Sequence, residues 1–362
     1  MDRTIPAPFT KGFNFSGWLE HRSADDVAAE MFTKKDFEHV REMGGDVVRI
    51  PIHFERFIDR ENGCAINGKI LAILDNVAAW SKELGIYVIF DFHNNTHVDS
   101  VTPADVEDVL TPVWTQLAER YKDASEYLVF ELMNEPHGID IDVWNGIIGR
   151  LFKKVREIDK IHYIIVGGAD WNSTEAMRRL PDFKDDKVIY TFHFYDPHTF
   201  THQGAPWCHM ERVKGLPFPY DKEKMPPMPE DATEIERRCF EGYPFTGTIE
   251  AIERVFDVYS DFSISRNAPV FCGEFGCNNF AVDKEQRAKW YSVVTRLLDE
   301  RGIPRTSWDY YGGFGIFEMK FEKKDGRLRF LPPKFPEDLN REVLEAMGFK
   351  IPGLDFSKGG LL

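Results

Sequence analysis

The sequence predicts a single α/β domain with the (β/α)8 TIM barrel fold, and three observations support that prediction. Short apolar runs alternate with amphipathic stretches along nearly all of the 362 residues, which is the pattern of repeated βαβ units. Eight such runs are present, the number that closes a barrel of parallel strands. A doubly wound sheet would be the alternative, but the G-x-G-x-x-G turn expected after its first strand is missing.

The predicted strands are rich in β-branched and aromatic residues, as strands buried on both faces are. In chain order they cover residues 12–18, 47–52, 87–93, 127–135, 162–168, 188–195, 269–276 and 305–311. The predicted helices cover about 34–44, 69–85, 103–122, 142–159, 173–180, 248–266, 284–301 and 335–347. Thr33 and Asp283 precede two of these helices as N-caps, and Gly44, Gly85 and Gly302 end three of them.

Two stretches do not fit the repeat. Residues 196–247, between the sixth strand and the sixth helix, are too long for an ordinary βα loop, and seven of the 21 prolines lie between residues 206 and 244. Because this stretch follows the C-terminal end of a strand, we expect an inserted lid or subdomain on the active-site face. Residues 319–330 alternate around Asp325-Gly326 and predict a β-hairpin.

Composition limits the classes of partner. The formal net charge is −15, which argues against nucleic acid and anionic membranes and suits an uncharged ligand. No run approaches the roughly 18–20 apolar residues of a membrane span. Residues 1–12 show no basic region followed by an apolar one, so the chain is expected to be intracellular or the mature form of a secreted protein. The five scattered cysteines form neither a disulfide framework nor a zinc pattern.

Polar residues cluster where the predicted strands end, the face on which a barrel builds its active site. Arginine and histidine inside apolar strands are costly unless they are paired. Together with the other residues at these strand ends they make a set of eight at one rim, which favours a functional site over isolated core residues. The residues are Arg49, His93, Asn134, Glu135, His193, Tyr195, Glu274 and Trp308.

Two of these residues, Glu135 and Glu274, are carboxylates that end apolar strands on opposite sides of the predicted barrel mouth. Paired carboxyl groups across a cleft are the minimal equipment for cleaving a glycosidic bond: one donates a proton while the other stays ionised. Arg49 is expected to keep Glu274 ionised, His193 and Tyr195 to orient it, and Trp308 to form the floor under a sugar ring.

These residues, in this order, resemble glycoside hydrolase family 5, a family of retaining barrel glycosidases. The likeness covers V-R-I-P around Arg49, D-F-H ending at His93, N-E at 134–135, F-H-F-Y at 192–195 and G-E-F-G at 273–276. The first strand, G-F-N-F-S-G-W with Asn14 and Trp18, fits as well. Residues 167–173 and 192–207 are similar to a clostridial type of endoglucanase with an inserted subdomain after the sixth strand.

The resemblance implies a retaining endo-β-1,4-glucanase, with mannan, glucomannan and mixed-linkage glucan as alternative substrates. It implies that Glu135 is the acid/base and Glu274 the nucleophile, that Asn134 binds the sugar 2-hydroxyl and that His93 lines the subsite at the scissile bond. Arg49 and Asn14 are also expected among the substrate-binding residues. The expected partner is a β-linked polysaccharide or oligosaccharide. No cofactor or metal is expected, and a monomer is expected.

Aromatic residues in the rim loops are candidates for neighbouring sugar subsites, with packing as the competing interpretation. They are Trp18, Trp171 and Trp207.

Three other classes of function were weighed. A metal-dependent hydrolase needs ligands such as His93 with His97 or His193 with His198, but the H-x-H common on a first strand is missing. A Schiff-base aldolase needs a lysine at a strand end, and none of the eight predicted strands supplies one. A non-catalytic carbohydrate-binding barrel would keep the tryptophans but has no need of both glutamates.

Overall fold

A computed structural model describes residues 4–93, 101–324 and 327–353 and confirms the predicted barrel. Its strands are β1 (Lys11–Asn14), β2 (Val47–Ile52), β3 (Ile58–Asp59), β4 (Ala65–Ile66), β5 (Tyr87–Phe92), β6 (Leu128–Glu131), β7 (Tyr163–Gly167), β8 (Val188–Phe194), β9 (Val270–Phe275), β10 (Arg305–Ser307), β11 (Lys320–Lys324) and β12 (Arg327–Leu331). Eight of them form a closed barrel in the order β1-β10-β9-β8-β7-β6-β5-β2, and every neighbouring pair is parallel.

Helices follow the barrel strands on the outside. They are α1 (Lys34–Glu42), α2 (Gly68–Leu84), α3 (Glu107–Tyr121), α4 (Ile141–Ile158), α5 (Ala169–Asn172), α6 (Thr174–Arg179), α7 (His198–Thr201), α8 (Glu234–Thr246), α9 (Ile249–Arg266), α10 (Lys284–Asp299) and α11 (Arg341–Ala346). Thr33 and Asp283 cap α1 and α10 as predicted, and Gly85 ends α2 in the left-handed conformation. No helix in the described ranges is long and apolar enough to cross a membrane.

The barrel interior is layered. Its lowest layer is apolar and consists of Phe9, Val47, Ile89, Val129, Ile165, Ile189 and Phe271. Because side chains alternate along a strand, residues two positions further on enter the next layer up. In that layer the side chains are charged instead of apolar: Arg49, Asp91 and Glu131, each with 0% of its surface exposed. The interior therefore changes from hydrocarbon to a buried charge cluster just below the C-terminal rim.

Three strand predictions were several residues too long, and the eighth strand ends at Ser307 rather than at residue 311. The first strand ends at Asn14 because the chain turns away, with Gly17 in the left-handed region at φ 75°. The fourth strand ends at Glu131, so Asn134 and Glu135 lie beyond it in the loop that follows. In that loop Pro136, which has no N–H, cannot continue a ladder.

Predictions near the C-terminus were partly right. The helix predicted over 335–347 begins only at residue 341, where the side chain of Asn340 accepts a hydrogen bond from the Val343 N–H. β11 and β12 pair antiparallel, as the predicted hairpin requires. The predicted turn at 325–326 lies outside the described residues.

Residues 196–247 pack onto the barrel's own core. Their buried apolar side chains belong to the same hydrophobic cluster as the barrel and its helices: Phe200, Met210, Val213, Leu216, Phe218 and Tyr243. The segment is also tied to α10, because the Phe218 N–H donates to Oε1 of Gln286 at 2.8 Å. A role for it as a lid remains a prediction.

Candidate active site

The two carboxylates predicted to be catalytic meet at the barrel rim. An oxygen of Glu135, an oxygen of Glu274 and a ring nitrogen of His193 all lie within 4.8 Å of one another. Carboxyl groups about 5–5.5 Å apart allow one of them to attack the sugar directly, whereas inversion needs about 6.5–9.5 Å to admit a water. The separation of Glu135 and Glu274 therefore fits direct attack by a carboxylate better than attack by an interposed water.

Strand register explains how Glu274 reaches this position. β8 and β9 shift register between Phe192 and His193, so that His193 lies opposite Glu274. Gly273 leaves room for the imidazole, because a Cβ at that position would lie 3.0 Å from Nε2 of His193. The bulge turns two functional side chains towards the same cleft.

The surroundings of Glu274 favour its ionised form. Arg49 Nη1 donates to Oε1 and the Tyr195 hydroxyl donates to Oε2, each at 2.8 Å. Burial opposes ionisation, but the positive charges of His193, Arg49 and His93 outweigh it and lower the pKa of Glu274. A carboxylate that stays ionised while buried is suited to nucleophilic attack.

Replacing Tyr195 with phenylalanine is expected to move the acidic limb of the kcat/KM profile to higher pH. Activity requires ionised Glu274, and loss of the O–H donor raises its pKa, so the limb rises by about one pH unit. The measurement is a pH-rate profile. Tyr121→Phe is the matched control, because the Tyr121 hydroxyl donates to the Asp75 carboxylate at 2.9 Å among the outer helices. An unmoved limb in Tyr195→Phe contradicts the assigned role.

The nearest polar neighbour of Glu135 is His193. Nδ1 of His193 lies 2.5 Å from Oε1 of Glu135 and 3.5 Å from Oε2 of Glu274. The prediction that His193 orients Glu274 was therefore incomplete, since its closer contact is with Glu135. Burial lowers the pKa of His193, but Glu274 and Glu135 outweigh burial and raise it overall.

Beneath the rim, Arg49 is held by a network that sequence reasoning found only in part. Both Glu131 oxygens accept from Arg49, at 2.6 Å from Nε and 2.9 Å from Nη2. Asp91 lies 3.0 Å from Nη2, and the side-chain oxygens of Asn14 and Asn134 accept at 2.9 and 2.8 Å. Asp91 and Glu131 were missed, although acidic residues inside apolar strands carry the same signal that identified Arg49.

His93 lies at the top of the barrel interior, and its predicted place in the subsite at the scissile bond stays a prediction. Its Nδ1 is 2.7 Å from Asp91, and its ring is parallel to Trp308 with centroids 5.7 Å apart. Burial lowers the pKa of His93, but Asp91 and then Glu20 outweigh burial and raise it to about 9. His93 is therefore a cation at neutral pH beside the partly exposed indole that was predicted as the floor of the subsite.

Three predicted substrate contacts are contradicted by the structure, because their side chains are fully buried. Trp18 has 0% of its surface exposed, packs against Phe32 and donates its indole N–H to the Ala28 carbonyl, so no face is open to a sugar. Asn14 is also fully buried, and its amide joins Arg49 to the Gly273 carbonyl at 3.0 Å. Arg49, predicted to bind substrate, likewise has 0% exposure and contacts protein groups.

The other two rim tryptophans are exposed. Trp171 is 41% exposed, and its ring stacks on that of His137, two residues after Glu135, with ring centroids 4.6 Å apart. Both Trp171 and its neighbour Asp170 lie in the left-handed region, with φ of 53° and 57°. Residues other than glycine rarely adopt that conformation, and such strain concentrates at functional sites. Trp207 is 48% exposed, and its ring lies near those of His202 and Phe314, with centroids 6.3 and 6.4 Å apart.

One group of potential metal ligands occurs among residues 4–93, 101–324 and 327–353, and it consists of Glu135, His193 and Glu274 themselves. His198, the partner considered for His193, instead stacks on His202 with ring centroids 3.9 Å apart. His97, considered with His93, lies outside the described residues.

Comparison with known proteins agrees with this geometry. The family profile described as Cellulase (glycosyl hydrolase family 5) matches residues 8–313. Endoglucanase C of Acetivibrio thermocellus is 28% identical, over 83% of this chain and 91% of its own length. Endoglucanase 3 of Fibrobacter succinogenes is 26% identical, over 85% of this chain and 50% of its own, so the chain spans about half of that relative.

The barrel also matches solved structures. Endoglucanase Cel5A of Thermotoga maritima superimposes with a TM-score of 0.74 at 27% identity, covering 93% of this chain and 96% of that one. Structures of that enzyme have been solved with cellobiose and with mannotriose.

Proposed function

The chain belongs to the cellulase family, glycosyl hydrolase family 5, and from that membership we propose that it is a retaining endo-β-1,4-glucanase that hydrolyses β-linked glucan by double displacement. The observation that carries the proposal is the approach of Glu135 and Glu274 to within 4.8 Å at the barrel rim. The endoglucanases among the relatives support glucan as the substrate class.

In the first step Glu274 attacks the anomeric carbon while Glu135 donates its proton to the leaving oxygen. Arg49 and Tyr195 each give one hydrogen bond to the attacking carboxylate and fix its position. Glu135 retains 15% exposure of its side chain, so it can reach both the leaving group and solvent. A covalent glycosyl-enzyme forms through an oxocarbenium-like transition state.

In the second step Glu135, now ionised, takes a proton from water. The water attacks the same face that the leaving group vacated, so the configuration at the anomeric carbon is retained. His193 contacts Glu135 and lies 3.5 Å from Glu274, and is placed to stabilise negative charge on whichever carboxylate carries it.

The proposal is tested by substrate profile and product stereochemistry. We expect hydrolysis of carboxymethyl-cellulose and barley glucan with a rapid fall in viscosity, and proton NMR should show the β-anomer forming first. An initial α-anomer would indicate inversion and overturn the mechanism. Release of cellobiose without loss of viscosity would indicate exo action, and a preference for glucomannan would move the assignment to the alternative substrate class.

EDTA is expected to leave the rate unchanged. The three potential ligands at the rim are the proposed acid/base, its neighbouring histidine and the nucleophile, and a cation held between them would block attack on the sugar. Activity is measured before and after dialysis against the chelator. A loss that zinc or magnesium restores would favour a metal-dependent hydrolase.

Trp171 is proposed as a platform on the leaving-group side, because its ring stacks beside the Glu135 segment. Trp171→Asn removes the ring and keeps a residue that tolerates the left-handed conformation. We expect kcat/KM on long oligosaccharides to fall about two- to tenfold, with a smaller effect on aryl glycosides, which place no sugar there. Phe245→Ala, at a 77% exposed ring on α8, is the control. Equal losses on both substrates contradict the assignment.

A further inference from the structure

Glu131 lies in the buried layer directly below the catalytic carboxylates and cannot touch a sugar. It occupies the last position of β6, paired in register with Asp91 of β5, and has 0% exposure. A fully buried carboxylate is costly unless it is compensated. The compensation it receives is Arg49, the same cation that contacts the proposed nucleophile.

Arg49 gives two hydrogen bonds to Glu131 and one to Glu274. Glu131 accepts from Nε and Nη2 at 2.6 and 2.9 Å, whereas Glu274 accepts from Nη1 alone at 2.8 Å. A two-point contact along one edge of the planar guanidinium fixes its orientation as well as its position. The edge left over points Nη1 at Glu274.

Glu131 also affects the charge that acts on Glu274. Both Glu131 oxygens act as acceptors, as an ionised carboxylate requires. Burial raises the pKa of Glu131; of the charged groups that face it, Arg49 from β2 and His193 from β8 oppose that rise and Asp91 from β5 adds to it. Glu131 therefore cancels part of the positive charge that would otherwise act on Glu274.

We propose that Glu131 is a positioning residue for the hydrolytic reaction, which aims Arg49 at Glu274 and limits the positive charge that Glu274 experiences. The inference rests on the proposed function of Glu274 as the nucleophile. An uncompensated arginine would hold the nucleophile too tightly, because a carboxylate of lower pKa is a weaker nucleophile. In this division of roles Arg49 keeps Glu274 ionised at working pH, and Glu131 keeps it reactive.

Glu131→Gln tests this role, because it keeps the shape and removes the charge. We expect the acidic limb of kcat/KM to move about one unit to lower pH and kcat to fall severalfold. Glu131→Asp retains the charge but shortens the reach, so its limb should stay near that of the parent while kcat falls. It also supplies a second folded variant if the glutamine substitution destabilises the barrel.

The chain offers a matched control in Glu236, a 3% exposed glutamate whose two oxygens accept from Nε and Nη2 of Arg212 at 2.8 and 2.5 Å. Glu236→Gln should lower the melting temperature without moving the limb. If Glu131→Gln behaves in the same way, with a lower melting temperature and an unmoved limb, Glu131 is a structural residue and the inference is overturned.

A readout without turnover separates this inference from the proposed function. Carbon-13 NMR of enzyme labelled at the glutamate carboxyl carbons follows the titration of Glu274, with Glu274→Gln identifying its signal. A lower pKa for Glu274 in Glu131→Gln than in the parent supports the inference, and an unchanged pKa overturns it. If the parent chain cleaves no β-glucoside, the proposed function fails while the titration still decides the role of Glu131.

Discussion

Replacing Glu274 with alanine is expected to reduce hydrolysis by at least about 10⁴-fold, the scale of loss seen when an enzyme nucleophile is removed. The reason is that Glu274 is proposed to form the bond to the anomeric carbon, while Glu135, the other carboxylate of the rim cluster, is proposed to act on the leaving group. The rate is measured with an aryl β-cellobioside, and circular dichroism confirms the fold.

Azide provides the decisive measurement on the same variant. The space vacated by the Glu274 carboxylate lies opposite the leaving group, so azide entering it displaces the aryl group once and yields an α-glycosyl azide. Glu157→Ala, at an exposed carboxylate on α4, should behave as the parent does. A β-configured azide product, or near-normal hydrolysis by Glu274→Ala, would contradict the assignment of the nucleophile.

Replacing Glu135 with glutamine is expected to produce a loss that depends on the leaving group. Without a proton donor, cleavage of cellulose oligosaccharides should fall about 10²–10⁴-fold, the usual contribution of general acid catalysis. Aryl glycosides with an acidic phenol leave without protonation, so formation of the glycosyl-enzyme should be much less affected. Pre-steady-state kinetics should then show a burst of phenol, because water is no longer activated for the second step.

The comparison between the two variants is its own control. Loss of the nucleophile should penalise both kinds of substrate equally, whereas loss of the acid should penalise them differently. An equal loss on both substrates in Glu135→Gln would mean that Glu135 does not donate the proton.

The rule that a charged residue inside an apolar strand must be paired holds for Arg49, which contacts Glu131 and Glu274, and for His93, which contacts Asp91. The order of strand ends along the chain was enough to bring Glu135 and Glu274 to one rim, because parallel strands deliver their C-terminal ends to the same face. Applied to every strand, the same rule would also have found Asp91 and Glu131.

Other features depend on packing between distant segments and leave no local trace. Trp18 and Trp171 are both tryptophans near strand ends, yet one is covered by Phe32 and the other is open. The shift that sets His193 opposite Glu274 arises between two strands about 80 residues apart, where neither sequence alone marks the bulge. The sequence therefore predicts which residues lie near the site better than it predicts which of them are exposed to a ligand and which are buried beneath it.

Residues 196–247 share their hydrophobic core with the barrel, and this limits how the segment can be varied. Because Phe200, Phe218 and Tyr243 are buried in the same cluster as the barrel helices, removing the segment would bare part of the hydrophobic interior. Recombination or engineering can therefore vary its exposed positions, such as Trp207, far more freely than its length or its anchoring rings. The exposed side chains of the segment can therefore change while its buried side chains remain part of the barrel core.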